Sequence, residues 1–384
     1  MSTPRFSILI PTRDRPETLR HTLATVVAQT GEDYEIVVAD NCSSAETRAL
    51  VQALGAPRLR YLRSDEVLPM ADNWERGLDA CEGEYVTVLG DDDGLVIGAL
   101  AMARVLLDAT QAEILSWMPH TYWWPDTIVP WLRNLLFLDL GYGTIGCASR
   151  PVLKSFYDGE LSFGMLPQIY KSFFHRGVIE DARTRYDAFF TPRDVAPDVA
   201  SGILGLHITE SYLFSKRPLS IRGNSGKSTG TAQWMRSFGP EQLAAYFRDE
   251  RLSPAQMMHP DLIPSPHLDI VIANALLKCK AVYFPRDADL SVDLRRVLRD
   301  MIEGLAREPE AYADNLADIR AFAAKLGVTL AEIAPPKPVD RTRRWGPAFN
   351  EQQVIGQIGI DCDLAGARNV AEAARLVEAI LPAS

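Results

Sequence analysis

The first 117 residues alternate between short apolar runs and amphipathic segments, and this alternation constrains the fold more than any other feature. Apolar runs such as FSILI (6–10), YEIVVAD (34–40) and YVTVLG (85–90) have the length of strands. The segments between them carry apolar residues at helical spacing, as in RPETLRHTLATVVAQ (15–29), which we expect Asp14 to cap. Strand–helix units with wholly apolar strands predict a parallel sheet covered on both faces. We therefore expect an α/β fold with a Rossmann-like, mostly parallel sheet flanked by helices.

Polar residues follow three of these predicted strands where each strand ends: Pro11-Thr12, Asp40-Asn41 and aspartates 91–93. Ligands of open α/β sheets bind at the carboxyl ends of the strands. Three adjacent carboxylates after a buried strand raise one another's pKa, and a bound divalent cation relieves that repulsion. A solvated turn is the alternative, because aspartate is a common turn residue.

The pattern changes after residue 118. HTYWWPDTIVPW (120–131) is aromatic and proline-rich, typical either of a loop packed on the core or of a platform on which an acceptor sugar stacks. Helical periodicity dominates residues 236–333, which form a mainly helical C-terminal region. We divide the chain into residues 1–235, residues 236–333, and a linker with a C-terminal extension over 334–384. The first part has a donor half, 1–117, and an acceptor half, 118–235.

Charge and cysteine content exclude several classes of protein. A formal net charge of -10 argues against nucleic-acid binding, which normally needs a basic surface. The five cysteines are scattered without a C-x-x-C pair, so we expect no disulfide framework and no zinc site. We predict no signal peptide and no transmembrane helix. A cytoplasmic protein is expected, with peripheral contact at the inner membrane left open.

Three motifs in order resemble those of the family 2 glycosyltransferases of GT-A fold. ILIPTRDRPETLRHTLATVVAQT (8–30) resembles the opening strand and helix of that family. EIVVADNCSSAET (35–47) resembles its V-V-D-D/N-x-S segment, and NWERGLDACEGEYVTVLGDDDGL (73–95) resembles its stretch ending in L-D-x-D-D. The resemblance covers about the first third of the chain. It implies a GT-A domain that uses a nucleotide-diphosphate sugar as donor and Mn²⁺ or Mg²⁺ as cofactor.

The resemblance also implies a set of donor-site residues. Pro11, Thr12 and Arg13 would line the nucleotide pocket, and Asp40 would accept hydrogen bonds from the base. The third motif begins with a predicted helix that precedes its strand. Two residues of this helix would face the donor, Asn73 and Arg76.

The aspartate triplet would complete that donor site. Asp91 would lie near the ribose, and Asp93 would be the main metal ligand with Asp92 beside it. The chain departs from the family pattern at Gly90, where the family often has a larger residue or a further acid. We expect little consequence from this departure.

An inverting enzyme of this family needs a general base for the acceptor hydroxyl. Asp198, which follows a proline and opens an apolar helix, is the favoured candidate. A helix start is also a routine place for aspartate and lowers its pKa, which counts against a base. The rivals are Asp194 and the pair Glu180-Asp181, which matches an E-D pair of the family but lies on the polar face of a predicted helix.

A glycine- and serine-rich loop is predicted over PLSIRGNSGKSTGTA (218–232). It lacks the glycine that a P-loop needs five residues before its Gly-Lys pair, since Ile221 stands there. Lys227 and Ser228 could still close over a diphosphate, and a plain surface loop is the alternative.

Taken together, these features predict an inverting glycosyltransferase that acts in surface glycan or polysaccharide synthesis. The donor would be a nucleotide-diphosphate sugar and the acceptor a glycan or a lipid-linked precursor. A sugar-1-phosphate nucleotidyltransferase is less well matched, because IPTRDRPETL (10–19) contains no glycine. A non-catalytic assembly protein that binds nucleotide sugars stays open, as does a homo-oligomer formed through the C-terminal helices.

Overall fold

The computed structural model describes residues 3–31, 33–337, 341, 346–349 and 355–382. The described strands are β1 Phe6–Thr12, β2 Tyr34–Asp40, β3 Leu59–Arg63, β4 Tyr85–Val88, β5 Gly94–Leu95, β6 Ile114–Trp117, β7 His120–Trp123, β8 Leu135–Asp139, β9 Thr144–Ala148, β10 Ser172–His175, β11 Ser211–Ser215, β12 Ser220–Asn224, β13 Gly346–Phe349 and β14 Ile355–Asp361. The described helices are α1 Pro16–Val27, α2 Ala45–Leu54, α3 Met70–Asp79, α4 Ala99–Thr110, α5 Ser149–Tyr157, α6 Arg176–Tyr186, α7 Pro197–Ile208, α8 Thr229–Trp234, α9 Pro240–Asp249, α10 Pro254–Met257, α11 Leu268–Tyr283, α12 Leu294–Gly304, α13 Tyr312–Lys325, α14 Cys362–Ala365 and α15 Val370–Ile380.

The larger sheet has the strand order β3-β2-β1-β4-β10-β6-β11-β9. Its first four strands pair in parallel, as the apolar runs predict. β10 lies between β4 and β6 and is antiparallel to both. This strand, SFFH, was not predicted, because a run of four residues gives no periodic signal. The predicted α/β class is confirmed.

Both faces of this sheet are buried at β1, β2 and β4, which is why these strands are mostly apolar. In β1, Ile8 and Ile10 point into a core shared with α1, α4 and α15. Leu9, between them, points into a second core shared with α3, α6 and α7. The helices therefore hold the strand ends from two sides.

A second sheet has the order β13-β14-β8-β7-β12-β5. It contains the aromatic stretch, for which a loop packed on the core and an acceptor platform were the two alternatives, and the segment 218–232, which we expected to be a loop. The aromatic stretch after residue 118 forms β7, and the glycine- and serine-rich loop is wrong as a prediction, since it forms β12 and the short helix α8. β12 pairs in parallel with β7 and antiparallel with β5, which begins directly after the aspartate triplet.

Helices dominate residues 236–333 as predicted, and α11, α12 and α13 share a core of their own. The final segment contains a strand, β14, and a helix, α15. β14 pairs with β8, and α15 packs on α1, so the described part of 334–384 joins the core of the first 117 residues. Residues 338–340 and 342–345 of the predicted linker lie outside the described residues.

No helix in the described part of the chain has the length and apolarity that crossing a bilayer requires. All five cysteines are free in the structure.

Candidate active site

A cleft of about 1600 Å³ opens at the carboxyl ends of β1 and β4. Thr12 ends β1, and aspartates 91–93 follow β4; all of them line this cleft. Asp198 reaches it from the first turn of α7 and Arg222 from β12. The cleft therefore joins residues from the donor half and the acceptor half of the chain.

Asp91 is held by two residues of the β1–α1 connection. The hydroxyl of Thr12 donates to its Oδ2 at 2.8 Å, and Nη1 of Arg15 donates to its Oδ1 at 3.0 Å. Burial lowers the pKa of Arg15, but the charges of Asp91 and Asp92 outweigh burial and raise it overall. Arg15 thus neutralises part of the carboxylate charge that the sequence places here.

Asp92 is fixed by the segment after β12. Ser225 donates to Oδ2 of Asp92 from its hydroxyl at 2.6 Å and from its backbone N–H at 3.2 Å. The indole N–H of Trp124 donates to the backbone oxygen of Asp92 at 2.9 Å. Burial and the charge of Asp91 raise the pKa of Asp92, although Arg15 and Ser225 oppose this.

Asp93 accepts backbone N–H groups at both of its carboxylate oxygens. Gly223 donates to Oδ1 at 2.6 Å and Gly90 donates to Oδ2 at 3.2 Å. Burial, followed by the charge of Asp92, raises the pKa of Asp93 to about 8. Two backbone donors therefore hold this carboxyl beside Asp92.

The triplet offers a divalent cation oxygen ligands of the right chemistry but not a complete site. In the described part of the chain, no three His, Cys, Asp or Glu side chains are grouped so that they could hold a metal ion. Asp92 receives its hydrogen bonds at Oδ2, and Oδ1 accepts none from the residues that the structure describes. The side chains therefore fit a cation whose remaining ligands come from a bound molecule such as a diphosphate.

Two of the donor-site residues do not reach the cleft. Asp40 is fully buried and accepts from the backbone N–H of Ser43 at 2.8 Å and from the hydroxyl of Tyr61. Arg76 donates to the backbone oxygen of Asp40 at 3.0 Å and to Oδ1 of Asn73 at 2.8 Å. Asp40 and Arg76 thus stabilise the end of β2 on the side away from the cleft. Asn73 lines the cleft, and its amide donates to the backbone oxygen of Ala39.

The other predicted nucleotide residues lie at the cleft. Pro11 and Arg13 line it beside Thr12, and Arg13 forms an ion pair with Asp249 of α9. Asp14 does not cap α1 as we expected. It has a positive φ of 49°, and its Oδ1 accepts the backbone N–H of Ser44 at 2.8 Å, so it ties the β1–α1 connection to the start of α2.

Of the four candidate bases, Asp198 is the one that lines the cleft. Burial raises its pKa, and this outweighs the lowering by the backbone N–H of Val199 and by Lys171. Asp194 pairs with Lys278, and Asp181 pairs with Arg185 one turn along α6. Glu180 is exposed on the same helix.

Lys171 is a buried amine in the wall of the cleft next to Asp198. It is 5% exposed, and burial, assisted by the charge of Arg222, lowers its pKa to about 7. Its Nζ donates to the backbone oxygen of Gly164 and lies 3.3 Å from Sδ of Met118. The site therefore carries a lysine whose charge is sensitive to pH near neutrality.

The segment after β12 closes one side of the cleft. Nζ of Lys227 donates to the backbone oxygen of Asp14 at 2.8 Å, and Arg15 donates to the backbone oxygen of Lys227. Ser228 caps α8 by accepting the backbone N–H of Thr231 at 3.3 Å. The segment is thus hydrogen-bonded to the β1–α1 connection. A loop that covered a ligand bound at this place would make the same contacts.

The aromatic stretch is buried rather than exposed as a platform. Tyr122, Trp123 and Trp124 are each less than 8% exposed, and Trp124 supports Asp92 as described. Trp123 lines the cleft and packs on Trp234 with ring centroids 5.9 Å apart.

Six residues of the site were not among those predicted from the sequence: Arg15, Tyr170, Lys171, Arg222, Gly223 and Ser225. Arg15 stands inside the first motif, three positions after Thr12, and this is the one signal that could have identified it. Gly223 and Ser225 lie 130 and 133 positions from the aspartates that accept their hydrogen bonds, so only the fold brings them together.

Residues 7–114 match the family model described as glycosyl transferase family 2. Over 101 residues the chain is 36% identical to a GalNAc(5)-diNAcBac-PP-undecaprenol beta-1,3-glucosyltransferase of Campylobacter jejuni, covering 26% of this chain and 33% of that protein. It is 28% identical over 94 residues to the putative colanic acid biosynthesis glycosyl transferase WcaA of Escherichia coli, covering 24% of this chain and 34% of that protein. The matched segment thus spans about a third of the length of these relatives.

Among solved structures, TarS residues 1–349 of S. aureus in complex with UDP-GlcNAc aligns over 92% of this chain and 99% of that one. The sequence identity is 15% and the TM-score 0.45, so this likeness carries no functional argument. The resemblance seen in the three motifs is confirmed over residues 7–114.

Proposed function

We propose that this chain, whose residues 7–114 match glycosyl transferase family 2, is an inverting transferase that moves a sugar from a nucleotide-diphosphate donor to an acceptor hydroxyl. The acceptor would be a glycan or a lipid-linked precursor in surface polysaccharide synthesis. Two of the relatives, one named as acting on an undecaprenol-linked glycan and one named for colanic acid biosynthesis, support this class of acceptor. We further propose that the protein works in the cytoplasm, with peripheral contact at the membrane that holds such an acceptor.

One observation carries the proposal. The strand-end residues of the family segment, Thr12 and aspartates 91–93, line the same cleft as Asp198, a carboxylate from outside that segment whose pKa burial raises. A donor site and a candidate base on one cleft are what a displacement at the anomeric carbon requires. Fold class alone would not support this function.

In the proposed reaction each group acts on one part of the substrates. Asp198 takes the proton of the acceptor hydroxyl as that oxygen attacks the anomeric carbon, and the bond from that carbon to the diphosphate breaks on the opposite face. The two electrons of the broken bond leave with the diphosphate. Arg15 and Lys227, which meet at the rim of the donor side, lie where they could bind that anion.

Asp92 and Asp93 would hold a divalent cation together with the diphosphate. When bound, Mn²⁺ or Mg²⁺ would neutralise charge on the leaving diphosphate. The unbonded Oδ1 of Asp92 makes that residue the better placed of the two, because both oxygens of Asp93 already accept backbone N–H groups.

The first experiment is thermal unfolding of the wild-type protein with UDP, GDP, CDP, ADP and dTDP, each with Mn²⁺, Mg²⁺ or EDTA. A ligand that binds only the folded state raises the unfolding midpoint by mass action. We expect one nucleotide to raise it in the presence of a cation, and Asp92→Ala to lose that rise. Release of sugar from the matching nucleotide sugar is then measured.

Asp181→Asn serves as the control, because Asp181 forms an ion pair on α6 outside the cleft. This variant should keep the full rise of the unfolding midpoint. If no nucleotide moves the midpoint, the proposed donor site is wrong. A nucleotide shift without any turnover of a nucleotide sugar would instead favour a binding protein that does not catalyse transfer.

A further inference from the structure

The side chain of Tyr170 enters the cleft from a rigid support. It lies on a 3-10 turn, Ile169–Lys171, directly before β10. Its ring stacks on Trp74 of α3 with centroids 5.7 Å apart and planes 17° apart. Trp74 is itself fixed edge-on against Phe190 at 5.5 Å. Such aromatic contacts leave the ring little freedom, so the position of the hydroxyl is determined by the fold.

That hydroxyl lies against the backbone of Gly90. A Cβ atom built on Gly90 would overlap the Tyr170 hydroxyl oxygen, and it would lie 3.0 Å from Cζ of Tyr170 and 2.8 Å from Oδ2 of Asp93. Only a residue without a side chain leaves this space. We expected little consequence from the departure from the family pattern at position 90. It matters, because glycine leaves the space that the Tyr170 hydroxyl occupies.

The Tyr170 hydroxyl makes no hydrogen bond to any residue that the structure describes, although Tyr170 lines the cleft. A phenol hydroxyl is protonated at neutral pH and can donate one hydrogen bond. The carboxylate on the other side of Gly90, Asp93, already accepts a backbone N–H group at each of its oxygens. The free donor thus stands beside the carboxylates that would share a cation with a diphosphate, and an anionic phosphate oxygen is the acceptor that suits it.

We propose that Tyr170 donates a hydrogen bond to the diphosphate of the nucleotide donor, and that residue 90 is glycine so that this hydroxyl can reach it. The inference rests on the proposed function. It assigns diphosphate recognition to a residue outside the segment that matches the family model.

The test compares Tyr170→Phe with wild type by isothermal titration in Mn²⁺, using the nucleotide base that wild type prefers. The diphosphate should bind about tenfold more weakly to the variant, because a hydrogen bond to a charged group is lost. The corresponding monophosphate should bind within about twofold, the usual precision of such a comparison. Tyr142→Phe, at a tyrosine that is 78% exposed, is the matched control.

Gly90→Ala tests the second half of the inference. The added methyl group should displace the hydroxyl and reduce diphosphate affinity at least as much as Tyr170→Phe does. In the Tyr170→Phe background, Gly90→Ala should reduce diphosphate affinity less than it does in wild type, because the hydroxyl oxygen that the methyl group would overlap is absent. Gly146→Ala, where a Cβ would meet no atom within 4 Å, is the control for glycine replacement.

Equal diphosphate affinities of wild type and Tyr170→Phe would overturn the inference and leave the proposed function standing. Equal losses for monophosphate and diphosphate would also overturn it, since they would indicate a contact with a part of the nucleotide that both ligands contain and not with the terminal phosphate. If wild type binds no nucleotide at all, the proposed function fails first. Thermal midpoints of all variants verify that each is folded.

Discussion

The backbone N–H of Gly223 donates to Oδ1 of Asp93 at 2.6 Å, although 130 positions of sequence separate the two residues. This bond joins β12 of the second sheet to the loop that follows β4 of the first. Both sheets therefore contact the aspartate triplet, and the geometry of the candidate site depends on the position of β12.

Gly223→Ala should damage both the fold and the donor site. A Cβ at this position would overlap the backbone oxygen of Asp92 and lie 2.7 Å from its carbonyl carbon, so backbone must shift. We expect a loss of about 1–3 kcal/mol in the free energy of unfolding, as in overpacked cores. Nucleotide affinity should fall with it. Urea unfolding and titration measure the two effects, and Gly146→Ala should change neither.

Asp92→Asn should separate the role of the cation from that of the nucleotide pocket. The substitution removes the negative charge of a carboxylate whose Oδ1 accepts no hydrogen bond from the described residues. Nucleotide affinity in Mn²⁺ should fall by about tenfold or more, while the weaker affinity in EDTA stays nearly constant. Isothermal titration under both conditions measures this. An equal loss with and without the cation would show that Asp92 does not act through a metal.

Asp198→Asn should abolish turnover and spare donor binding. Removing a general base typically reduces the rate by about a hundredfold to ten-thousandfold. The donor Kd should not change, because Asp198 lies on the acceptor side of the cleft. Glu180→Gln and Asp181→Asn are the matched controls, since these carboxylates do not line the cleft. If either control loses turnover while Asp198→Asn keeps it, Asp198 is not the base.

Stability should fall in mild acid because of His120. Burial, aided by the charge of Arg217, lowers the pKa of His120 to about 4, and its Nδ1 accepts the backbone N–H of Asp139 at 3.1 Å. Below an ordinary histidine pKa of about 6.5, the unfolded chain binds a proton that the folded chain does not. Stability should therefore decline from about pH 6.5 towards pH 4, by up to about 3 kcal/mol.

The check is urea unfolding at several pH values between 7.5 and 4.5, for wild type and for His120→Gln. The variant will be less stable at neutral pH, but its stability should depend less on pH in this window. Parallel pH profiles for the two proteins would assign the acid sensitivity to other groups.

The sequence was informative where structure is local. β1, β2 and β4 with their helices could be predicted because each is an apolar run or a periodic segment that carries its own signal. Thr12 and aspartates 91–93 could be placed together because strand ends of a parallel sheet meet at one edge. The sequence did not reveal that Asp40 faces Tyr61 and Ser43 rather than the cleft, since that depends on side-chain packing behind β2.

Long-range assembly was not predictable in the same way. β10 is four residues long, and its insertion between β4 and β6 depends on pairing with strands that lie far from it in sequence. Ser225 and Tyr170 are ordinary residue types that become parts of the site only after both sheets have formed. Gly90 seemed a tolerable departure from a motif, because the residue that explains it is 80 positions away in the chain.

The packing of α15 on α1 has a consequence for synthesis. Val370, Ala373 and Val377 fill the same core as Leu19 and Leu23, so the earliest helix of the described chain is covered by the last. On the ribosome, where a chain grows at about 5–20 residues per second, α1 must present an uncovered apolar surface until Ile380 has emerged. The connection that carries Thr12 and Arg15 therefore reaches its final support only after α15 has been synthesised, and a chain truncated before α15 would be exposed to aggregation and proteolysis.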